Sequence, residues 1–464
     1  MNIGAVVLAA GQGTRMRSAL PKVVHPIAGR PMISWVLDAL AAGGVGSTVV
    51  VVGHGAETVR DVLPDRVAVA VQGRPRGTGD AARVGLEALD PACDTVVLAY
   101  GDTPLLDPAL VRRLVQEHAS ERRAATVVTG RLEDAGDYGR IVRGDDGTVA
   151  RIVEARDASH DELAIREFNA GLYAVDRAAL VAALAGMAPN ARDEVYLTDA
   201  VASLDGPVVA LVAENPETAS GVNDRVELAA CEAAVQRRMR DELMRSGVTM
   251  PDPSAVYLDA AVTVGADTVL LPGTHLRGGT SVADGCTIGP DAVVVDSVIG
   301  AGSRVVSAQV LESELAEGCS VGPFAYLRPG CRLERGARAG SFVELKNTVL
   351  GPGAKVPHLS YVGDATVGEA TNIGAGNITA NYDGFRKHRT EIGARVKTGS
   401  DCVFVAPVTV GDDAMTGAGS IITDDVPAGA LGIARARQTV IEGFTERAAA
   451  RAQEAAARSR EGGG

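Results

Sequence analysis

Short apolar runs alternate with helically spaced segments through the first half of the chain. AVVLAA at Ala5–Ala10 gives way to apolar positions over Met32–Leu40, then to STVVVVG, to a second helical stretch at Ala81–Leu89, and to DTVVLAYGD. Alternation of this kind predicts βαβ units and an α/β domain whose mainly parallel sheet is covered on both faces. In such sheets ligands sit beyond the carboxyl ends of the strands. LAAGQGTRM and VVLAYGD both turn polar at that edge.

From Leu258 the period changes. Leu258, Val264, Leu270, Leu276, Val282, Ile288 and Val294 stand six residues apart, and Ile392, Thr398, Phe404, Val410, Thr416 and Ile422 keep the same step. Neither a helix nor a flat strand has this period; a chain that turns a corner every six residues does, which predicts a parallel β-helix of hexapeptide repeats. The register slips at Ser297–Glu314 and between Gly340 and Thr390, where loops are expected to leave the coil. Between the halves, Val226, Ala229, Ala230, Val235, Met239 and Leu243 follow helical spacing. Asn223 or Asp224 can cap that helix and Gly247 can end it. The expected organisation is an N-terminal domain over 1–224, a connecting helix over 225–250, the β-helix over 251–436 and a tail over 437–464, whose Ala, Arg and Glu content predicts a frayed helix or disorder.

Composition narrows the possibilities. The 464 residues carry a net charge of −13, and only 3% are aromatic. Without a basic block or stacking surface, nucleic acid is excluded as a partner. No run approaches the ~18 apolar residues of a membrane span. The N-terminus lacks a basic residue before Arg15, so no signal peptide is expected. Six scattered cysteines without a CxxC pair predict reduced, mostly buried thiols, and hence a cytoplasmic protein.

An anionic ligand must then meet local positive potential. LAAGQGTRM places Met16 where a dinucleotide-binding fingerprint needs its third glycine, and no Lys-Ser or Lys-Thr follows to make a Walker loop. What remains is a glycine turn whose N–H groups can face an anion, with Arg15 and Lys22 close by. Asp102, ending VVLAYGD, can hold Mg²⁺ bound to phosphates; read alone, it equally suits a cap before Thr103-Pro104. Gln72 carries a donor and an acceptor that match the imide edge of uracil, and the Gly77-Thr78 turn lets backbone approach a base. In the second half, Arg328, Lys346 and Lys387 suit a sugar phosphate. His358 is a candidate base for an attacking amine, with Glu344 expected to orient or polarise it; the alternative is a corner hydrogen bond.

LAAGQGTRM, LPKVVHPIAGRPM, QGRPRGTGDA, AYGDTPLL, DYGRIV, IVEARDA, FNAGLYAV and GVNDR, in this order, and the β-helix through RQTVIEGF resemble the family of bifunctional N-acetylglucosamine-1-phosphate uridylyltransferase/glucosamine-1-phosphate N-acetyltransferases. The resemblance covers nearly the whole chain. It implies a Rossmann-like nucleotidyltransferase domain followed by a left-handed β-helix, and a homotrimer with acetyl sites shared between subunits.

By resemblance, Leu8, Ala9, Ala10, Gly11, Gly13 and Arg15 form the opening loop that holds UTP with Gln72, Gly77 and Thr78. Lys22 meets the phosphates, Asp102 and Asn223 hold Mg²⁺, and Gly139, Glu154 and Asn169 contact N-acetylglucosamine. Gln12 stands where Lys is often found, implying less positive charge around the phosphates. In the β-helix, Arg328, Lys346, Tyr361, Asn372 and Lys387 would bind glucosamine 1-phosphate and His358 would be the base. Asn381, Tyr382, Ser400, Ala418 and Arg435 would contact acetyl-CoA, with the Ala375 N–H facing the thioester oxygen. The implied substrates are glucosamine 1-phosphate, acetyl-CoA, N-acetylglucosamine 1-phosphate and UTP, and the product is a precursor of the cell envelope. Two other readings remain: nucleotidyl transfer alone on an oligomerising β-helix, and a regulatory subunit that binds nucleotide-sugar without turnover.

Overall fold

A computed structural model describes residues 2–120, 123–190 and 193–461. The chain divides into two compact units: one runs through Ala266 and takes in Leu270–Thr280, the other comprises Asp267–Val269 and the chain from Ser281 onward.

The first unit is built on β1 (Ile3–Ala9), α1 (Met32–Ala42), β2 (Ser47–Val52), β3 (Ala68–Val71), α2 (Thr78–Ala88), β4 (Thr95–Tyr100), α3 (Pro108–Ser120), β5 (Ala125–Arg131), the hairpin β6 (Arg140–Arg143) and β7 (Val149–Val153), β8 (Glu167–Asp176) and β9 (Val208–Val212). The sheet order is β9-β5-β8-β4-β1-β2-β3. β1 pairs in parallel with both β2 and β4, while β8 runs antiparallel to β4 and β5. Central strands such as VVLA in β1 and VVLA in β4 are buried on both faces, as a covered parallel sheet requires. Their side chains divide between two apolar clusters, one holding Val7, Val36 and Leu114, the other Val6, Leu86 and Leu98.

The predicted connecting helix, α4, spans Arg225–Arg245 and is capped by Asp224, whose carboxylate accepts from the N–H groups of Val226 and Glu227. Such a cap contributes about 1 kcal/mol. Part of the expected face is buried, with Val235 and Met239 packed as anticipated. Val226, Ala229 and Ala230 are exposed; the packed residues are Cys231, Ala234, Val235 and Gln236, flanked by Leu228 and Met239. Gln236 is polar yet buried because its Nε2 donates to Leu258 O at 2.6 Å and its Oε1 accepts from Leu258 N at 3.0 Å. The amide thus acts as a neighbouring strand to the Val256–Leu258 segment.

In the second unit short strands stack in parallel ladders, for example Val293–Val295, Gln309–Leu311, Tyr326–Leu327, Glu344–Lys346, Tyr361–Gly363, Ile378–Ala380 and Val403–Val405. This is the parallel β-helix expected from the hexapeptide repeats, and the left-handed coil is the one the family resemblance implied. One slip in register has a different cause from the expected loop. Val294, Ile299, Val305, Val310 and Leu315 are all buried without interruption, at steps of five or six residues. Corners there are one residue short, and no loop departs. The second slip contains a real excursion: Ala365 pairs with Thr390, whereas Val349 pairs with Thr366. The longer coil carries Asn381–Arg389. The tail forms a helix, Phe444–Glu461.

Candidate active sites

At the carboxyl ends of β1 and β4 the first unit opens a cavity of about 450 Å³. Leu8, Ala9, Ala10, Gly11, Arg15, Lys22, Gln72, Gly77, Thr78, Asp102, Gly139, Glu154, Asn169 and Asn223 all line it. Gly13 lies outside that lining. It has φ +60, and a Cβ there would stand 2.7 Å from Lys22 Cβ, so this glycine lets the turn close against the lysine stem. The N–H groups of Gly11, Gln12 and Gly13 donate to no protein acceptor among the described residues, which leaves a run of donors at the strand end.

Two cationic ends converge on Asn223. Its Oδ1 accepts from Arg15 Nη2 at 2.9 Å and from Lys22 Nζ at 3.4 Å, and Lys22 forms an ion pair with Asp102. Arg15 also pairs with Asp137. Asp102 and Asn223 therefore aim their oxygens at one point that already holds a cationic ammonium. One carboxylate and one amide oxygen form a sparse hard-donor set, suited to Mg²⁺ only when phosphates and waters fill its remaining positions. Consistent with that, no group of three or more His, Cys, Asp or Glu among the described residues could hold a metal unaided.

On the far wall, burial pushes the Glu154 carboxyl above its ordinary range, partly relieved by the Thr198 hydroxyl, which donates to it at 3.1 Å. Asn169 reaches the cavity with its amide engaged: Nδ2 donates to Tyr173 Oη at 2.6 Å and Oδ1 accepts from Gly171 N at 3.1 Å. The sequence reading passed over Tyr138. Its hydroxyl accepts from Gly221 N at 3.0 Å and donates to Gly221 O at 3.3 Å, and its ring packs on Phe168 at 4.7 Å. It braces the segment that carries Asn223. An aromatic beside Gly139 in DYGRIV was the available signal.

In the second unit, Lys346 Nζ donates to Asp364 Oδ2 at 3.1 Å, and Asn381 Nδ2 to the same oxygen at 2.6 Å. Asn381 also approaches the Tyr361 hydroxyl at 3.4 Å. Lys387, carried by the excursion, lies beside Lys346, whose ammonium holds the Lys387 ammonium below its ordinary range. Asp364 ties this group together and was not singled out from the sequence. Burial opposes its ionisation, yet bonds from Asn347, Lys346 and Asn381 keep its carboxyl below the usual value. Glu344 does not orient His358: it pairs with Arg328 at 3.1 Å, because the coil register stacks Glu344 between Tyr326 and Tyr361. His358 pairs along the backbone with Ser341 and is exposed.

The remaining predicted residues form a second group on later coils. Asn372 bridges Lys355 and Lys397, Ala375 O accepts from Asp401 N, Ser400 O from Gly419 N, and Ala418 O from Arg435 Nη1 at 2.9 Å. Tyr382 is exposed on the excursion, its hydroxyl donating to Gly384 O.

A phosphate-friendly cavity at the strand ends of an α/β unit, with a hexapeptide β-helix after it, defines a nucleotidyltransferase joined to a second module. Comparison with known proteins agrees. Residues 5–199 match the family model of a MobA-like NTP transferase domain. The chain is 49% identical to the bifunctional protein GlmU of Heliobacterium modesticaldum, over 96% of this chain and 98% of that protein. It is 46% identical to the GlmU proteins of Streptomyces avermitilis, over 98% of both chains, and of Mycobacterium tuberculosis, over 95% and 92%. The chain belongs to the bifunctional GlmU family.

Proposed function

We propose that this chain catalyses two steps of UDP-N-acetylglucosamine synthesis. The second unit acetylates glucosamine 1-phosphate with acetyl-CoA, and the first couples the N-acetylglucosamine 1-phosphate to UTP, releasing pyrophosphate. The observation that carries the reading is the convergence of Arg15, Lys22, Asp102 and Asn223 in one cavity.

In the first unit a sugar-phosphate oxygen attacks the α-phosphorus of UTP, and the bond to the pyrophosphate oxygen breaks. No proton needs to be removed from the nucleophile. The task is to bring two polyanions together, and Arg15 and Lys22 offset their repulsion and the charge that grows on the leaving group. Asp102 and Asn223 would hold Mg²⁺, which supplies Lewis-acid stabilisation of phosphate charge when bound. Glu154 and Gly139 lie where sugar hydroxyls can be met.

In the second unit the amine nitrogen forms a bond to the thioester carbonyl carbon and the C–S bond breaks. His358 takes the amine proton, the thiolate acquires a proton to leave as CoA, and the Ala375 N–H faces the oxyanion. Arg328, Lys346 and Lys387 neutralise the sugar phosphate. The reading extends to a cytoplasmic homotrimer that supplies an envelope precursor. It is tested by incubating the purified chain with glucosamine 1-phosphate, acetyl-CoA, UTP and Mg²⁺, omitting each in turn. Free CoA, pyrophosphate and the UDP-sugar should all appear in the complete mixture; absence of the UDP-sugar there overturns the reading.

A further inference from the structure

Gln72 sits just past the end of β3, its backbone N–H held by Val52 O at 2.8 Å, and its side chain is buried against the cavity wall. Its Nε2 donates to Asp80 Oδ2 at 2.8 Å and to Gly77 O at 3.2 Å. Both partners are acceptors only: a carbonyl, and a carboxylate. Neither can donate, so the nitrogen of the amide must face them whichever way the group is drawn. Gln72 Oε1 has no protein donor among the described residues, and it is the end left for the cavity.

Asp80 is itself held. It lies in the first turn of α2, where the helix dipole favours negative charge. Arg83 Nη2 donates to its other oxygen at 2.7 Å. Burial resists its ionisation, but the bonds from Gln72 and Arg83 keep the carboxyl below its ordinary range, so it remains a pure acceptor at neutral pH. Gly77, at φ +94 and with Val195 O only 2.4 Å from where a Cβ would stand, fixes the second acceptor by backbone alone.

We propose that Asp80 is a positioning residue that sets nucleotide choice: by pinning the Gln72 amide it presents a bare acceptor to the base, selecting a ring that offers an N–H there. Uracil does so, with N3–H between two carbonyls. Cytosine places an unprotonated N3 at the same point, and two acceptors would face each other. An unpinned glutamine could rotate its amide and serve either base, so discrimination arises from the residue behind Gln72 as much as from Gln72. This rests on the reading that the cavity holds UTP with Gln72 against the base.

The test compares UTP with CTP as nucleotidyl donor, reading kcat/KM for each by pyrophosphate release with the full-length chain. Asp80→Asn can turn either end of its amide toward Gln72. It should lower the UTP:CTP ratio about tenfold, chiefly through a higher KM for UTP, the scale expected of one misdirected hydrogen bond. Asp80→Glu keeps an acceptor-only partner and should restore most of the ratio. In a Gln72→Ala background, Asp80→Asn should change the ratio no further, a coupling that general loosening of the fold would not produce. If Gln72→Ala loses selectivity while Asp80→Asn keeps it, the positioning role is overturned and the UTP reading stands. If Gln72→Ala also keeps it, Gln72 does not read the base and both fail.

Discussion

Lys22 and Asp102 form an ion pair inside the cavity of the first unit, with only 17% and 16% of their side chains exposed. Pairing of this kind offsets the cost of desolvating two charges, and removing one partner strands the other. On the function proposed above, a bound triphosphate would draw Lys22 away from this carboxylate and leave Asp102 free to hold a metal ion.

Asp102→Asn should therefore lower pyrophosphate release at least about a hundredfold, the usual scale for losing a preorganised charged group. Chelating Mg²⁺ with EDTA should do the same to the unaltered chain. CoA release at the other site, followed with a thiol reagent, should persist in both cases. Near-normal uridylyl turnover by the variant would remove Asp102 from the metal site.

Glu154 allows a prediction about stability. Burial raises its folded carboxyl value, so the folded chain holds this proton more tightly than the unfolded chain does. Stability then falls as pH rises from the ordinary glutamate value through the raised one, and at neutral pH the buried charge is a cost. Glu154→Gln keeps an acceptor for Thr198 and discards the charge. Its melting midpoint should exceed that of the parent by roughly 2–4 °C at pH 7 if about 1 kcal/mol is relieved, and the gap should close in acid. Apparent affinity for N-acetylglucosamine 1-phosphate should drop about tenfold, as for a lost bond to a substrate hydroxyl. A lower midpoint at neutral pH would contradict the assignment.

Asp364 has the opposite sign. Bonds from Asn347, Lys346 and Asn381 outweigh burial and lower its folded value. The stability it adds is present above the unfolded aspartate value of about 3.9 and is lost as pH falls through the depressed folded value. Asp364→Asn should raise KM for glucosamine 1-phosphate about tenfold by releasing Lys346 and Asn381, while UDP-sugar formation from added N-acetylglucosamine 1-phosphate stays unchanged. Urea unfolding of the variant and the parent should differ by a constant amount above about pH 5 and converge only below the ordinary aspartate value. An unaltered KM would make Asp364 a fold residue alone.

How far the sequence could be read follows from how local each cause is. The six-residue train was legible because each six-residue step buries one apolar side chain, as Leu270, Leu276, Val282 and Ile288 do. A corner shortened by one residue, as between Val294 and Ile299, breaks that count without leaving the coil, so it resembled a loop. In α4 the small alanines fit either face, and the position that decided the packing was Gln236, whose partner Leu258 is 22 residues away. The cavity of the first unit was legible through Gly11 and Asp102 because each stands two residues past a strand end, and through Lys22 as the first lysine after that glycine turn. Tyr138, Asp364 and the Asp80 lock were not, since each acts on another residue and not on the ligand. Glu344 failed as a partner of His358 because the coil register, invisible in the sequence, sets it against Arg328.

That failure sharpens what to expect of His358. No side-chain hydrogen bond to its ring exists among the described residues, and its carbonyl, not its imidazole, accepts from the Ser360 hydroxyl at 2.7 Å. A histidine retained for structure would use its ring in the fold; this one leaves both nitrogens open to a substrate amine. His358→Ala should thus cost little stability, since no hydrogen bond of this exposed ring is lost, yet cut CoA release at least about a hundredfold, within the range ascribed to general-base catalysis. Uridylyl transfer from added N-acetylglucosamine 1-phosphate should be untouched, because its cavity lies wholly in the first unit. Glu344→Gln, by contrast, should act through Arg328, raising KM for glucosamine 1-phosphate without displacing the pH profile of acetyl transfer. A shifted profile in that variant would place Glu344 against His358 during turnover and overturn the pairing described here.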